Sequence, residues 1–251
     1  MRKVKVGLCG WTVAIASYPH YFPVVEVQQT FYEPPGDTTM LRWRESMPEG
    51  FEFTLKAWQL ITHTSTSSTY RRLKRVLTPE ERAEVGGFKP TAIVDEGWRR
   101  SVQCARLLGA TAILFQCPAS FRPTPDNITH LRAFFERIER PEGIRLLWEP
   151  RGEWPEAKLR KLCGDLGLVH VVDPFVNRIV TRDPTYYRLH GITGSRHVYK
   201  DHELRKLLGA LPDKGEAYVM FNNIPRAADA RRFQQLVGET DQRQDFPPAR
   251  P

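Results

Sequence analysis

Residues 112–151 read AILFQCPASFRPTPDNITHLRAFFERIERPEGIRLLWEPR and contain one complete strand–helix–strand unit. The near-continuous apolar runs at 112–115 and 144–148 are typical of strands that are buried on both faces. Between them, residues 125–138 place Leu, Phe and Ile side chains at helical spacing on one face. Two parallel strands joined by a crossover helix are therefore predicted here.

Short apolar runs that end in polar residues recur along the whole chain of 251 residues. The eight runs are residues 4–9, 24–27, 51–55, 112–115, 144–148, 169–172, 186–189 and 217–221. Helical patterns lie between most of them, at residues 38–46, 97–108, 125–138, 155–166, 201–208 and 226–237. Eight strand–helix units in about 250 residues predict an α/β fold, a single (β/α)8 TIM-type barrel. A doubly wound open sheet is the alternative, but the first run is not followed by the GxGxxG pattern.

One long segment interrupts the alternation, between the third and fourth predicted strands. Residues 57–96 combine a Ser/Thr-rich stretch at 62–69 with the basic run YRRLKR at 70–75. An insertion after a strand of a barrel lies beside the active site, so we predict a lid or a substrate clamp. Residues 1–237 are then one barrel domain, and residues 238–251 are predicted to be a flexible tail.

The composition favours an anionic partner. Lysine and arginine total 37 and aspartate and glutamate total 29, which gives a net charge of +8. This balance suits a phosphorylated metabolite or nucleic acid, although a basic surface without any such ligand is the alternative. The four cysteines show no CxxC spacing, and neither a signal peptide nor a membrane span is evident. We expect a cytoplasmic protein with no membrane partner; its oligomeric state is left open.

Candidate site residues follow from the fold, because TIM-type barrels build their active sites at the carboxyl ends of the strands. The candidate catalytic residues are Lys56, Glu149, Asp173 and His190. The candidate substrate-binding residues are Trp11, Thr30, Tyr32, Gln116, Arg151, Trp154, Arg188, Asn222 and Asn223. Carboxylates and imidazole suit proton transfer, cations suit phosphate, and aromatic rings suit stacking on a base or sugar.

Several of these residues also have a purely structural interpretation. Glu149 and Arg151 could pair only with each other, and Asp173 before a proline could serve only its turn. His190 could be a satisfied core histidine, and Asn222 could cap the last helix. The sequence contains no HExxH, His-x-His or P-loop motif, so no metal site is predicted and the cofactor is left unknown.

Several strand ends occur in the order found in one known family. They are GLCGW at 7–11, VEVQQTFY at 25–32, FEFTLK at 51–56 with ITH at 61–63, FQCP at 115–118, DP at 173–174, YRLHG at 187–191 and YVMFNN at 218–223. Together these motifs resemble the YecE-like family, domain of unknown function 72, over about residues 6–237. The resemblance implies a barrel of the endonuclease IV and xylose isomerase kind, and it implies no settled activity.

The fifth predicted strand departs from the family pattern. It ends in WEPRGEW at 148–154, where many relatives resemble Arg-His-x-Ser-Trp. The resemblance gives Arg151 and Trp154 the equivalent places, but the relatives' histidine has no counterpart in this chain. We therefore expect no fifth-strand imidazole and a weaker case for an endonuclease-IV-like metal cluster. The first loop, residues 12–23, also looks shorter than in relatives, which predicts a more open site.

Three functional hypotheses follow. The leading one is a hydrolase or lyase that acts on a phosphate-containing substrate, with nucleic acid as one such substrate. In it the phosphate is held by Lys56, Arg151 and Arg188, the base is Glu149 or Asp173, and the acid is His190. The second hypothesis is a metabolic enzyme for a sugar or sugar phosphate. The third is a non-catalytic protein whose barrel end binds an anion or nucleic acid.

Overall fold

The computed structural model describes residues 2–245, including the side chains of residues 2–239. Its strands form one closed parallel barrel in sequence order, in which the last strand pairs with the first. The strands are β1 (Arg2–Cys9), β2 (Val24–Val27), β3 (Glu52–Lys56), β4 (Ala112–Cys117), β5 (Arg145–Pro150), β6 (Val169–Val172), β7 (Thr185–Leu189) and β8 (Gly215–Phe221). The predicted (β/α)8 barrel is confirmed, and closure of the sheet excludes the open-sheet alternative.

Helices surround the barrel, and the six predicted stretches each overlap one of them. They are α1 (Gln29–Tyr32), α2 (Asp37–Glu45), α3 (Gln59–Thr62), α4 (Pro79–Glu84), α5 (Ala92–Leu108), α6 (Pro125–Arg137), α7 (Glu156–Leu166), α8 (Asp201–Gly209) and α9 (Arg226–Asp245). Local chemistry explains several boundaries. Thr78 and Glu81 form a capping box at the start of α4. Helices α5 and α7 end at Gly109 and Gly167, whose φ angles of 58° and 57° suit glycine.

Helix α9 is longer than the sequence pattern predicted. It continues through Asp245, so the predicted tail, residues 238–251, begins inside a helix. Residues 246–251 lie outside the described part of the chain, and the flexibility of the tail stays a prediction. Within the described residues, no helix is both long and apolar enough to cross a membrane.

The side chains of the strands alternate between the inside of the barrel and the layer under the helices. On β2, Val25 and Val27 join the large core beneath the helices, whereas Val24 joins a smaller core inside the barrel. Glu26 lies between Val25 and Val27 and therefore also faces inward. The same alternation turns Lys56 and Arg188 toward the barrel axis at the carboxyl ends of their strands, and we call this end the mouth.

The inserted segment, residues 57–96, follows the carboxyl end of β3. It has its own apolar cluster, which includes Trp58, Leu77 and Val85. Its His63 packs against Phe31 of α1, with ring centroids 4.9 Å apart. Burial, together with the charges of Lys56 and Arg151 at the mouth, lowers the pKa of His63 to about 3. Its action as a lid stays a prediction.

The basic run of the insertion is less available to a ligand than its sequence indicated. Arg75 pairs with Glu81 and Glu96 of the same segment. The guanidinium carbon of Arg72 lies 3.6 Å from the ring centroid of Tyr32. Internal contacts therefore occupy two of the cations that the sequence offered to an anionic partner.

Candidate active site at the barrel mouth

Arg188 occupies the centre of the barrel at the mouth and is completely buried. Its Nε and Nη2 donate to the Glu26 carboxylate, the latter at 2.8 Å. Its Nη1 donates to Glu149 Oε2 and, at 3.2 Å, to Gln116 Oε1. The prediction that Arg188 holds a substrate phosphate is therefore not supported, because Glu26, Glu149 and Gln116 already accept from this buried guanidinium, whose Nη1 also lies 3.4 Å from His190 Nε2. Gln116 likewise serves Arg188.

Glu26 is the central residue that sequence reasoning left out of the site. It is fully buried and also accepts hydrogen bonds from Tyr186 Oη at 3.0 Å and from Gln28 Nε2 at 2.5 Å. Burial opposes its ionisation, but Arg188, Lys56 and Tyr186 outweigh burial and hold the pKa of Glu26 below its ordinary value. The available signal was a carboxylate inside the apolar run VVEV at 24–27, where it must face inward.

His190 lies between two carboxylates just beyond the end of β7. Its Nε2 is 3.4 Å from Glu149 Oε1, and its Nδ1 is 3.5 Å from Asp173 Oδ2. Asp173 also accepts the backbone N–H of His190 at 2.9 Å and that of Phe175 at 3.0 Å. Asp173 thus forms the predicted turn and fixes the exit of His190 from the strand as well. The His190 side chain is 18% exposed, so a ligand can reach it.

Lys56 ends β3 with only 4% of its surface exposed. Its Nζ lies 3.7 Å from the centroid of the Phe31 ring. Across the residues that the structure describes, Nζ makes no hydrogen bond or ion pair. Burial, reinforced by the charge of Arg188, lowers the pKa of Lys56 to about 7.

A cavity of about 500 Å³ opens at the mouth beside His190 and Glu149. The predicted residues that line it are Glu149, Arg151, Asp173, His190 and Asn222. Arg151 is 44% exposed, and its Nε is 3.9 Å from Glu149 Oε1. Glu149 therefore presents one oxygen to Arg188 and the other toward His190 and Arg151. This volume lies in the range of small-molecule sites.

Two predicted aromatic ligand contacts belong to the core instead. Trp11 packs edge-on against Tyr18 and Trp43, with ring centroids 4.9 and 6.0 Å away, in the layer under the helices. Trp154 donates its Nε1 to the carbonyl of Phe121 at 2.9 Å and packs on Trp148. Neither ring lines the cavity of about 500 Å³, although Trp154 lines the adjoining cavity beside Arg151. The stacking of these two rings on a base or sugar stays a prediction.

Three further predicted binding residues hold the local structure together. Thr30 donates its hydroxyl to the backbone carbonyl of Lys56 at 2.7 Å. Arg72 covers the ring of Tyr32. Asn223 donates its Nδ2 to the His197 carbonyl and to Asp229 Oδ2, at 2.9 and 2.7 Å. Each of these side chains supports an element near the mouth without facing the cavity.

A substitution of Thr30 tests whether this residue supports the structure or binds a ligand. Thr30→Val should lower the free energy of unfolding by about 1 kcal/mol, because it removes one buried hydrogen bond at nearly constant volume. Urea denaturation measures this change. Ligand affinity at the mouth should stay within about twofold, and a loss of tenfold or more would return Thr30 to the binding residues.

Charge also collects at the opposite end of the barrel. There Lys5 pairs with Glu52 and Glu216, and Arg145 pairs with Glu216. Ionic networks alone therefore do not mark the functional end. The mouth differs in having an accessible histidine and a buried lysine that makes no ion pair with a described residue, whereas each end has an arginine that is 44% exposed. In the described part of the chain, no three His, Cys, Asp or Glu side chains are arranged to hold a metal ion.

Fold and site together define a TIM-barrel protein whose polar site lies at the carboxyl ends of the strands. Within this class, the chain belongs to the family described as "Protein of unknown function DUF72", whose family model matches residues 10–251. The resemblance found in the strand-end motifs is confirmed. No curated protein matches the sequence significantly.

Solved structures support the same fold. A DUF72 family protein from Enterococcus faecalis aligns with a TM-score of 0.68 at 20% identity, over 94% of this chain and 97% of that chain. A D-psicose 3-epimerase aligns with a TM-score of 0.60 at 14% identity, over 92% and 97%. An AP endonuclease, family 2, from Brucella melitensis aligns with a TM-score of 0.56 at 11% identity, over 94% and 99%.

Proposed function

We propose that this protein is an enzyme, a hydrolase or lyase, whose substrate is a phosphorylated sugar bound in the mouth cavity. The enzyme acts on this substrate by general acid–base catalysis. The sugar is either free or part of a nucleic acid. One observation carries the proposal: the accessible imidazole of His190 lies on the cavity wall between Glu149 and Asp173. Imidazole exchanges protons at physiological pH, and flanking carboxylates orient it for this task.

The roles within the site follow from which atoms are free. Arg188 occupies Glu149 Oε2, which leaves Oε1 for His190 and the cavity. Two hydrogen bonds from backbone N–H groups bind Asp173, so Asp173 orients His190. His190 is then the group that donates a proton to a leaving oxygen, and Glu149 Oε1 is the candidate base.

Arg151 is the cation that suits the phosphate. Its side chain is half-exposed on the cavity wall, whereas the guanidinium of Arg188 is saturated and Lys56 is buried. A guanidinium binds a phosphate through two parallel hydrogen bonds. One such cation beside a cavity of about 500 Å³ favours a single phosphorylated sugar unit over a long stretch of nucleic acid backbone.

The solved neighbours suggest which probes to use. One is named an epimerase of the sugar D-psicose, and another is named an AP endonuclease. At 14% and 11% identity they support the fold alone. They nevertheless justify testing both a free sugar phosphate and a DNA duplex that contains an abasic site.

Arg151→Gln should weaken binding of a phosphorylated sugar by tenfold to a hundredfold. A hydrogen bond to a charged group contributes about 1.5–3 kcal/mol, which corresponds to that range. Isothermal titration with ribose 5-phosphate measures the change, and Arg178→Gln is the control because Arg178 lines only the adjoining cavity. Equal loss in both variants would show non-specific attraction to a basic surface.

Turnover of the two probes tests the proposal itself. The wild-type chain is incubated with ribose 5-phosphate and with the abasic duplex, with and without added divalent metal ions. Turnover of either probe that Arg151→Gln impairs supports the proposal. Binding of a probe at this site without any turnover would identify an anion-binding protein. Absence of both binding and turnover would contradict the proposal.

A further inference from the structure

We infer that Lys56 is a nucleophilic amine that forms an imine with an aldehyde or ketone group of a ligand at the mouth. This inference takes one point from the proposed function, namely that the ligand carries a phosphate group. It changes the predicted role of Lys56 from a charged phosphate contact to a covalent one.

The placement of Lys56 disfavours a permanent charge. Its side chain lies inside the barrel, and the carboxylates nearest the axis, Glu26 and Glu149, both bind Arg188. A buried ammonium without a carboxylate partner loses its hydration and gains little in return. The ring of Phe31 offers only a cation–π contact, which is far weaker than the lost hydration.

The charged and titratable groups around Lys56 act in both directions. Arg188 opposes its protonation, whereas Glu26, Glu149 and Cys9 favour it. Burial decides the balance and lowers the pKa of Lys56 to about 7, so a large fraction of the amine is neutral at physiological pH. Only the neutral amine has the lone pair that attacks a carbonyl carbon.

The surroundings of the amine also suit the loss of water that completes an imine. Phe31 covers Nζ, and the ring of His63 packs on Phe31 from the insertion. These rings limit the access of bulk water to the C=N bond once it has formed. The 4% exposed fraction shows that the cover is not complete.

The proposed step balances without a further reagent. The lone pair of Nζ attacks the carbonyl carbon and gives a carbinolamine. The two amine protons then leave with the former carbonyl oxygen as one molecule of water, and a C=N bond remains. The ligand class is therefore a carbonyl compound, such as the open-chain form of a sugar phosphate or of an abasic sugar.

Reductive trapping tests this inference. The wild-type chain is incubated at pH 7 with glyceraldehyde 3-phosphate and cyanoborohydride, and the modified lysines are located by peptide mass analysis. We expect Lys56 to be modified at least tenfold faster than exposed lysines, whose ordinary pKa of about 10.4 keeps them protonated. Lys56→Arg should abolish this fast modification, and the exposed-lysine control Lys158→Arg should leave it unchanged.

Two further measurements keep the result unambiguous. The trapping rate at Lys56 should rise as the pH passes about 7 and level off roughly two pH units higher, where deprotonation of the amine is nearly complete. Lys56→Met should keep or raise the melting temperature, since it removes a buried amine. Uniform modification of exposed lysines, or an unmodified Lys56 in the folded chain, would overturn the inference.

The outcomes separate this inference from the proposed function. In one outcome, Lys56 is trapped as fast with unphosphorylated glyceraldehyde as with the phosphate ester, and no phosphorylated probe is turned over. That outcome supports Lys56 as the nucleophilic amine and contradicts a phosphorylated substrate. In the other outcome, the Lys56→Arg variant still turns over a phosphorylated probe. That outcome supports the proposed function and contradicts the imine at Lys56.

Discussion

Arg188→Met is expected to lower the free energy of unfolding by about 3–5 kcal/mol at neutral pH. Arg188 forms ion pairs with two buried carboxylates, Glu26 and Glu149, so its removal leaves both without their main charge partner inside the barrel. A buried ion pair adds little net stability when intact, but it is costly to break from one side. Urea denaturation of the two chains at pH 7 measures the difference.

The difference in the free energy of unfolding between the wild-type chain and Arg188→Met should shrink as the pH falls. Because the pKa of Glu26 lies below its ordinary value of 4.5 in the folded protein, its contribution to stability is present above that value and is lost at lower pH. The variant has no such contribution to lose, and protonation of its buried Glu26 relieves the unpaired charge. The two stability curves should therefore approach each other toward pH 4.5 and below.

A matched control separates charge from packing. Glu26→Gln combined with Glu149→Gln in the Arg188→Met background removes the buried charges and should recover part of the lost stability at pH 7. The loss of stability in Arg188→Met could instead stay constant from pH 7 to pH 4 and not be reduced by the neutral glutamines. That result would assign the loss to packing.

The fold was predictable because its strands carry an unusually clear signal. Strands β4 and β5 are buried on both faces, so their apolar runs could be recognised without reference to any partner. The length of α9 was not predictable in the same way. Its last turns, Gly238–Asp245 by sequence, lack an apolar face, and a polar segment gives no periodicity to detect.

The site was predictable only in part, because position after a strand gives the end of the barrel but not the direction of a side chain. His190 and Glu149 face the cavity, whereas Trp11 turns into the layer under the helices. Glu26 was missed since it lies inside its apolar run. The saturation of Arg188 depends on carboxylates from β2 and β5, whose meeting only the closed barrel reveals.

The contact between Glu149 and Arg188 also limits what a substitution of the candidate base, Glu149, reveals about catalysis. If Glu149 and His190 served only as base and acid, His190→Gln and Glu149→Gln would both reduce turnover while leaving the melting temperature nearly unchanged. Glu149 Oε2 binds the buried Arg188, so Glu149→Gln should also destabilise the fold. A loss of activity in Glu149→Gln could come from the missing base or from the destabilised fold. Substitution of His190 is therefore more informative.

His190→Gln is expected to lower kcat on a confirmed substrate by about 10²–10⁴-fold, the range typical of lost general acid–base catalysis. Glutamine can keep a polar contact with Glu149 and Asp173, but it cannot accept and release a proton at neutral pH. Because the backbone N–H of His190, which donates to Asp173, is retained, the loop should keep its position. Steady-state kinetics and thermal melting of the same samples measure both properties.

The control for His190→Gln is a second histidine on the same connection between β7 and α8. His197 bonds Thr193 and Glu203 at 3.0 Å each and lies outside the cavity lining. His197→Gln should therefore affect melting more than kcat, the reverse of the pattern at His190. If His190→Gln raises KM alone, the imidazole binds the substrate without moving a proton. If it leaves both constants unchanged, the carboxylates around His190 hold a structural histidine, and the chemistry of the mouth must depend on Lys56 and Arg151.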